Sequence, residues 1–466
     1  MEIKQKKIMI VGMGKSGAAL MDVLLSLSAE VYLYDSKTQD AIDQKIVSKA
    51  EENRIPLFFG KEPEDISFLD RIIMSPGVPL DSGLVQRAKE KGIEITGELE
   101  LAYKLCRGQF IGITGTNGKT TTTALTGAIF KKAELEHFVV GNIGTVAVSK
   151  AGQVSEEGYM ITEISSFQLE TIQDFKPHIA ALLNITEDHL NRHKTMENYM
   201  DAKARIFMNQ TKTDYLVVNY DDALAYQVAQ RAKSQIIPFS RRTVLEKGCF
   251  VKDGNLMIRG LSLGDKGETE SLICPVKNIK LPGLHNLENA MAATCIAILS
   301  HIEIPIIKET LESFNSVEHR LEYVDTIQGV RFINDSKGTN PDSSIKAIES
   351  MEKDVVLIAG GMDKGSDFNA LIDAFHDKIK HMVLLGETAE KIKRTAENKG
   401  FYAISIKNSM KECVEEAFRL AKPGYTILLS PACASWDMYP NYEVRGKDFK
   451  NHVMQIGRTH HGEEKV

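Results

Sequence analysis

The residues with the clearest chemical meaning lie in "GITGTNGKT", where Gly115, Thr116, Asn117, Gly118, Lys119 and Thr120 follow the apolar run "FIGI". A glycine-rich turn between a strand and a helix offers successive backbone N–H groups to phosphate oxygens. A lysine and a hydroxyl at its end supply a cation for the outer phosphates and a ligand for Mg²⁺. The loop is shorter than the usual one: where the common spacing places its first glycine, six positions before the lysine, this chain has Ile113. A shortened loop still presents amides at a helix N-terminus, so nucleoside triphosphate binding is the expectation.

Three further residues could complete such a site. Glu163 in "ITEISSFQLE" and His189 in "NITEDHLNRH" each follow an apolar strand-like run. That spacing puts both at the C-terminal edge of a sheet, where open α/β sheets bind ligands. Either alone is compatible with an ordinary surface residue; with the phosphate loop they point to a second Mg²⁺ site. Lys203 in "MENYMDAKARIF" shares one helical face with Tyr199, Ile206 and Phe207 at i, i+4, i+7 and i+8. A lysine there either snorkels from the core edge or is a desolvated amine with a depressed pKa, open to modification.

A second glycine turn, "GMGKSG", brings Gly12, Gly14 and Gly17 directly after the first strand, and Asp35 closes the second, "VYLYD". The pattern fits a dinucleotide, a nucleotide or sugar-nucleotide diphosphate, or a structural turn. The segment has room for about one mononucleotide half before the phosphate loop begins, which disfavours the dinucleotide. Polar loops recur later: "GLHNLEN" with Asn286 and Asn289, "NDSKGTNPDSS" with Asp335, Lys337 and Thr339, "GGMDKGSDF" with Lys364, and "SPACASWDMYPNYEVRG" with Ser435 and Tyr442. Gathered at the strand ends of one domain, such loops make a polar pocket.

These groups need a scaffold of parallel sheets, and the chain supplies it. Short apolar runs alternate with helical stretches in "KIMIVGMG", "EVYLYD", "RIIMSPGV" and "IEITGELE", again in "YMITEIS", "HIAALLNIT" and "YLVVNYDD", and a third time in "VRFINDS", "DVVLIAGG", "HMVLLG" and "YTILLSPACAS". The expected fold is α/β in three domains: a Rossmann-like domain over 1–97, a P-loop ATPase-like parallel sheet over 98–315 and a Rossmann-like domain over 316–466. Runs around Asp253-Gly254 predict an antiparallel appendage on the central sheet. With 466 residues the chain is long enough for about three cores. A net charge of −6 without a basic stripe excludes an electrostatic footprint for nucleic acid. Six scattered cysteines, no signal-peptide pattern and no membrane-length apolar run fit a cytoplasmic protein of small-molecule substrates.

Over essentially the whole chain the sequence resembles the Mur ligases: "GMGKSG", "MSPGVP", "GITGTNGKT", "GNIG", "EISSFQLE", "NITEDHL", "GLHNLENA", "HRLE", "NDSKGTNP" and "SPACASWDMYPNYEVRG" all match family motifs. The last is the ending of the D-glutamate-adding members. Other Mur ligases and folylpolyglutamate synthase share the central ATPase but not that ending. The resemblance implies a monomeric enzyme in which ATP phosphorylates the carboxylate of UDP-N-acetylmuramoyl-L-alanine and D-glutamate attacks the acyl phosphate. It implies catalytic and metal roles for Lys119, Thr120, Glu163, His189 and Lys203, with Lys203 carbamoylated, and ATP contacts from the phosphate loop, Asn286, Arg320, Asp335 and Lys337. Gly14, Lys15, Ser16, Asp35, Ser36, Lys37, Ser75, Gly77 and Asn142 would hold the uridine diphosphate, Ser165 and Gln168 the muramoyl-alanine. Thr339, Lys364, Ser435 and Tyr442 would hold D-glutamate. With these groups on three domains, closure is expected to be needed for catalysis. Two positions depart from the pattern: Ser316 stands where a glycine is usual, and Asn191 replaces a common aspartate, which removes a metal role there.

Overall fold

The structure is a computed structural model that describes residues 3–261, 270–281, 283–315 and 318–463, with only the backbone described for Asn191 and 459–463. Ser316 lies outside the described residues, as does the side chain of Asn191. The chain is α/β and divides into two compact units, Met1–Asn278 with Glu288–Glu312, and Ile279–Leu287 with Ser313–Val466.

The first unit holds two sheets. Strands β1 (Lys7–Val11), β2 (Glu30–Asp35), β3 (Leu57–Phe59), β4 (Arg71–Met74) and β5 (Glu94–Gly97) form an all-parallel sheet in the order β3-β2-β1-β4-β5. This is more sheet than a single mononucleotide half. The extra strand β3, "LFF", is a half-buried edge strand of three residues, too short to show a period in the sequence.

The second sheet contains β6 (Gln109–Thr114), β7 (His137–Gly141), β8 (Tyr159–Glu163), β9 (Ile179–Leu182), β10 (Tyr215–Asn219), β11 (Gln235–Ser240), β12 (Gly248–Lys252), β13 (Asn255–Arg259) and β14 (Ser271–Pro275), in the order β14-β13-β12-β11-β10-β9-β6-β8-β7. Strands β6 to β12 pair in parallel, and β12, β13 and β14 continue antiparallel as the expected appendage. The β12–β13 hairpin turns at Asp253 and Gly254, both at positive φ (50° and 72°), the conformation a two-residue hairpin demands. Interior strands such as "IAAL" are buried throughout because helices cover both faces. The two sheets are tied through Glu100, fully buried, whose carboxylate accepts from the backbone N–H groups of Gln173, Asp174 and Phe175 at 2.8, 3.0 and 3.0 Å.

The second unit is built on β15 (Glu322–Ile327), β16 (Val330–Asn334), β17 (Val355–Ala359), β18 (Ile379–Leu384), β19 (Ile404–Ile406) and β20 (Thr426–Leu429), in the order β15-β16-β20-β17-β18-β19. Only β15 runs antiparallel. Its core includes the buried apolar residues Leu357, Leu384, Ile392 and Leu428.

Candidate functional site

The phosphate loop leaves β6, an interior strand between β8 and β9, and runs into the helix Lys119–Lys132. Gly118 precedes that helix at φ +84°, and a Cβ there would lie 2.3 Å from Asn289 Oδ1, so both conformation and space require glycine. Two buried threonine hydroxyls of this helix bond back along it, Thr123 Oγ1 donating to the Lys119 carbonyl at 2.8 Å and Thr126 Oγ1 to that of Thr122 at 2.7 Å, while Thr122 Oγ1 donates to Asn289 Oδ1 at 3.3 Å. Thr120 is buried at the second helical position.

A neighbouring segment shapes the loop. Asn184, just beyond β9, accepts from the Asn117 N–H at 2.8 Å through Oδ1 and donates to the Asn117 carbonyl at 3.0 Å through Nδ2. Its own carbonyl receives the Thr116 N–H at 3.0 Å. Thr116 Oγ1 meets the Tyr199 hydroxyl at 3.1 Å and accepts from the Thr186 N–H at 3.0 Å. This clasp holds the shortened loop at Thr116 and Asn117. Asn184 opens the "NITEDHL" motif with no role of its own readable from the sequence; its local mark is an asparagine two residues beyond a strand that neighbours the phosphate-loop strand.

Glu163 ends β8 in register with Ile113 of β6, and its side chain is 1% exposed. Asn142, beyond β7, donates to the Glu163 carboxylate at 3.1 Å, and its N–H reaches the Glu163 carbonyl at 2.9 Å. Thus the two residues expected to serve uridine diphosphate and metal are adjacent. His189 adopts a left-handed backbone, φ +56°, with Nε2 3.5 Å from Asp188 Oδ2 and its ring 4.8 Å from that of Phe167. Ser165 and Gln168 form a reciprocal capping box on the helix Ser166–Leu169: Gln168 Oε1 accepts from the Ser165 N–H and hydroxyl, and Ser165 Oγ accepts from the Gln168 N–H.

Lys203 faces inward, as its helical register indicated. It is 1% exposed on the helix Met196–Ala204, with Tyr199, Ile206 and Phe207 buried beside it. Its Nζ donates to the Gly115 carbonyl at 2.8 Å and lies 4.6 Å over the Tyr199 ring. Burial first, and then the positive Lys119, hold its amine well below the ordinary lysine pKa, against the opposing pull of Asp188. Lys119 Nζ donates to the Gly115 and Thr116 carbonyls at 2.8 and 2.7 Å. The donors near the loop, a threonine hydroxyl and a buried carboxylate, are hard oxygen ligands. That set suits Mg²⁺, which takes one or two carboxylates and completes its shell with phosphate and water. Among the described residues no three His, Cys, Asp or Glu side chains converge as a softer or fully protein-built metal site would need.

At the first sheet, Asp35 Oδ2 accepts from the Met13 N–H at 2.7 Å and Oδ1 from the Lys37 N–H at 2.9 Å, so the acid braces the glycine turn and the loop after β2. Ser75 Oγ donates to the Gly12 carbonyl at 2.7 Å. Gly17 is required, since a Cβ there would stand 2.1 Å from the Gly12 carbonyl oxygen; Gly14 has nothing within 4 Å and is exposed with Lys15, next to half-buried Ser16. Ser36, Lys37 and Gly77 are exposed around the same edge.

In the second unit, Asp335 is fully buried after β16 and accepts from Ser430 Oγ at 2.7 Å; burial raises its pKa while Arg320, 3.7 Å away, opposes the shift. Arg320 Nη1 donates to Ser343 Oγ at 2.6 Å. Lys337 lies 5.1 Å over the Tyr442 ring and Lys364 5.7 Å over that of Trp436, while Ser435 is buried and Thr339 half-buried. Asn286 is buried in the same unit. Arg445, also buried, donates to the carbonyls of Ser336 and Cys433 at 2.8 and 3.1 Å, and so joins the "NDSKGTN" and "SPACAS" loops. It was quoted within its motif but given no role from sequence; an arginine inside an apolar helix face was its signal.

Comparison with known proteins agrees along the chain. Residues 6–97 match the Mur ligase MurD-like N-terminal domain, 113–297 the Mur ligase middle domain and 319–433 the Mur ligase glutamate ligase domain. Proteins named UDP-N-acetylmuramoylalanine--D-glutamate ligase are 47% identical in Thermoanaerobacter sp. (strain X514) and 48% in Alkaliphilus oremlandii, in each case over 98% of this chain and 100% of the relative. Among solved structures, UDP-N-acetylmuramate-alanine ligase MurC from Thermotoga maritima aligns with a TM-score of 0.59 at 18% identity over 96% of this chain and 99% of its own. MurF from Acinetobacter baumannii gives 0.59 at 16% identity over 96% and 94%. At those identities the two structures establish the fold. No helix among the described residues is long and apolar enough to cross a membrane. From its full-length relatives and the order of its three matched domains, this chain belongs to the Mur ligase family, the ATP-dependent ligases of peptidoglycan precursor synthesis.

Proposed function

We propose that the chain joins D-glutamate to UDP-N-acetylmuramoyl-L-alanine, forming an amide at the expense of ATP, in the cytoplasm and as a monomer, with domains divided near 97 and 315. The observation that carries the catalytic reading is the buried Lys203 amine on the carbonyl of Gly115, beside Lys119 and one strand from the Glu163 carboxylate. The substrate reading rests on the full-length relatives and on the "SPACAS" ending.

Bringing a carboxylate to a triphosphate opposes like charges, and phosphoryl transfer is mostly positioning and charge stabilisation. On ATP binding, Lys119 would leave the loop carbonyls for the outer phosphates, which the helix N-terminus at Gly118–Thr120 would cradle. Thr120 and Glu163 would hold one Mg²⁺, and Glu163, His189 and a carbamoylated Lys203 a second; such ions would neutralise the phosphates and the carboxylate. The depressed pKa of Lys203 supports that assignment, because the neutral amine is the form that takes up CO₂. Asn286, Arg320, Asp335 and Lys337 serve ATP, and Thr339, Lys364, Ser435 and Tyr442 hold D-glutamate with its amine free to attack. The Gly14–Ser16 turn, Asp35, Ser36, Lys37, Ser75, Gly77 and Asn142 hold the uridine diphosphate, with Ser165 and Gln168 at the muramoyl-alanine.

The test is a phosphate-release assay. Release is expected only with UDP-N-acetylmuramoyl-L-alanine and D-glutamate together, with L-glutamate far poorer. Equal activity with meso-diaminopimelate or L-lysine would overturn the substrate assignment.

A further inference from the structure

The loop after β4, Ser75 to Val78, carries two residues assigned above to uridine diphosphate. Its inner side is fixed: Ser75 Oγ holds the Gly12 carbonyl, and Val78 packs so close to Gly12 that a Cβ there would lie 2.8 Å from Val78 Cγ2. The outer side is gripped by Arg192, from the short helix Leu190–His193 of the central sheet's edge. Arg192 Nη2 donates to the Val78 carbonyl at 3.0 Å, and Nη1 lies 3.5 Å from the Gly77 carbonyl.

The same guanidinium is anchored on the central side. Its Nη2 donates to Glu170 Oε2 at 2.5 Å and its Nε to the same oxygen at 3.2 Å, with both side chains only 16% exposed. Its plane lies 4.7 Å over the Phe167 ring, which also meets the His189 ring at 4.8 Å and the His193 ring at 5.6 Å. Four partners meet one side chain: two carbonyls, one carboxylate and one aromatic face. Only a planar fork of donors meets them together. A structural pair would need the carboxylate alone. The donation to the loop's carbonyls places the loop itself.

We propose that Arg192 is a positioning residue for the uridine-nucleotide substrate, holding the Ser75–Val78 loop in register with the central sheet edge that bears Phe167 and His189. A long substrate bound by its uridine diphosphate at one sheet and by its carboxylate at another needs the two ends of the protein frame at a fixed spacing. Arg192 sets that spacing on the substrate side. This rests on the substrate reading given above.

The experiment uses the full chain with Arg192→Lys, Arg192→Gln and, as a variant that keeps the arginine, Glu170→Gln. Calorimetry with UDP-N-acetylmuramoyl-L-alanine and, separately, with a Mg²⁺-bound non-hydrolysable ATP analogue gives the two affinities, and steady-state rates give KM against kcat. Loss of charge-assisted bonds to the loop is expected to weaken the uridine substrate about tenfold or more in both Arg192 variants. KM should rise by a similar factor, more than kcat falls, with the ATP analogue bound as in the wild type. Unchanged uridine-substrate affinity in folded Arg192→Gln overturns the proposal. So does an equal loss for both ligands, or unfolding of all three variants, each of which marks a merely structural pair. A wild-type protein that binds the ATP analogue but no uridine nucleotide would instead overturn the substrate reading, and this inference with it.

Discussion

Lys203 and Lys119 donate to one and the same oxygen, the carbonyl of Gly115, each at 2.8 Å. Burial of Lys203, and after it repulsion from the Lys119 ammonium on the shared acceptor, disfavours its charged form. Burial beside the phosphate loop thus favours the neutral amine, the form that carbamoylation needs.

Lys203→Ala and Lys203→Arg should fold and lose ligase activity by about a hundredfold or more, as for loss of a group that stabilises transition-state charge. Millimolar formate or acetate should restore part of the alanine variant's rate and none of the arginine variant's, since guanidinium stays charged and fills the space. Near-wild-type turnover of either variant in CO₂-depleted buffer would return Lys203 to a packing role.

The same burial has a stability signature. A base with a depressed folded pKa binds its proton more readily when unfolded, so its contribution improves as pH rises toward the ordinary lysine value of ~10.4. Lys203→Met should therefore melt at or above the wild type at neutral pH in bicarbonate-free buffer, with the difference shrinking toward pH ~10. A variant that is less stable at neutral pH would show that Lys203 is compensated in the fold.

Lys119→Ala should abolish turnover while leaving uridine-substrate binding intact, because the glycine turn at Gly12 and the loop at Ser75 are built without it. Calorimetry on the folded variant decides, and loss of uridine-substrate binding would show that the two sites were assigned wrongly.

The clasp on the phosphate loop makes two linked predictions. Asn184→Asp keeps the size but turns the donor to the Asn117 carbonyl into a repelling oxygen, so KM for ATP should rise about tenfold with uridine-substrate affinity unchanged. Gly118→Ala forces a Cβ against Asn289 at a left-handed backbone and should cost about 1–3 kcal/mol by denaturant unfolding. Wild-type kinetics in Asn184→Asp would remove the clasp from the account.

Glu98, fully buried where its carboxylate accepts from the Val148 N–H at 2.6 Å, has its pKa pushed up to about 7 by burial. An acid with a raised folded pKa binds more protons folded than unfolded, so its share of stability falls as pH climbs from the ordinary glutamate range of ~4.3 through about 7. Glu98→Gln keeps the acceptor for Val148 and should melt a few degrees above the wild type at pH ~8, with little difference at pH ~5. The opposite order at pH ~8 would show that the ionised carboxylate is the stabilising form.

Much of this was legible before the structure. The inward face of Lys203 followed from its register with Tyr199 and Phe207, and the strand-edge placement of Glu163 and His189 followed from apolar runs ending in polar loops. The antiparallel turn at Asp253-Gly254 was marked by its residue types. What stayed hidden depends on partners distant in the chain. Asn184 and Asn117 are 67 residues apart, and Arg445 and Ser336 are 109 apart, so nothing local marks either contact. Edge strands β3 and β19, three residues each and half-buried, carry too little periodicity to announce themselves. The Arg192 grip on Gly77 and Val78 was illegible for a further reason: its acceptors are backbone carbonyls, which no side-chain pattern encodes.

Acyl-phosphate ligation specific for D-glutamate is tested most directly by the fate of one oxygen atom. UDP-N-acetylmuramoyl-L-alanine labelled with oxygen-18 in its terminal carboxylate is incubated with the enzyme, ATP, Mg²⁺ and D-glutamate, and the inorganic phosphate is examined by mass spectrometry. The account predicts one label per phosphate released, ADP as the other nucleotide product, and no label transfer beyond background when L-glutamate replaces D-glutamate. Unlabelled phosphate, or AMP and pyrophosphate as products, would contradict it.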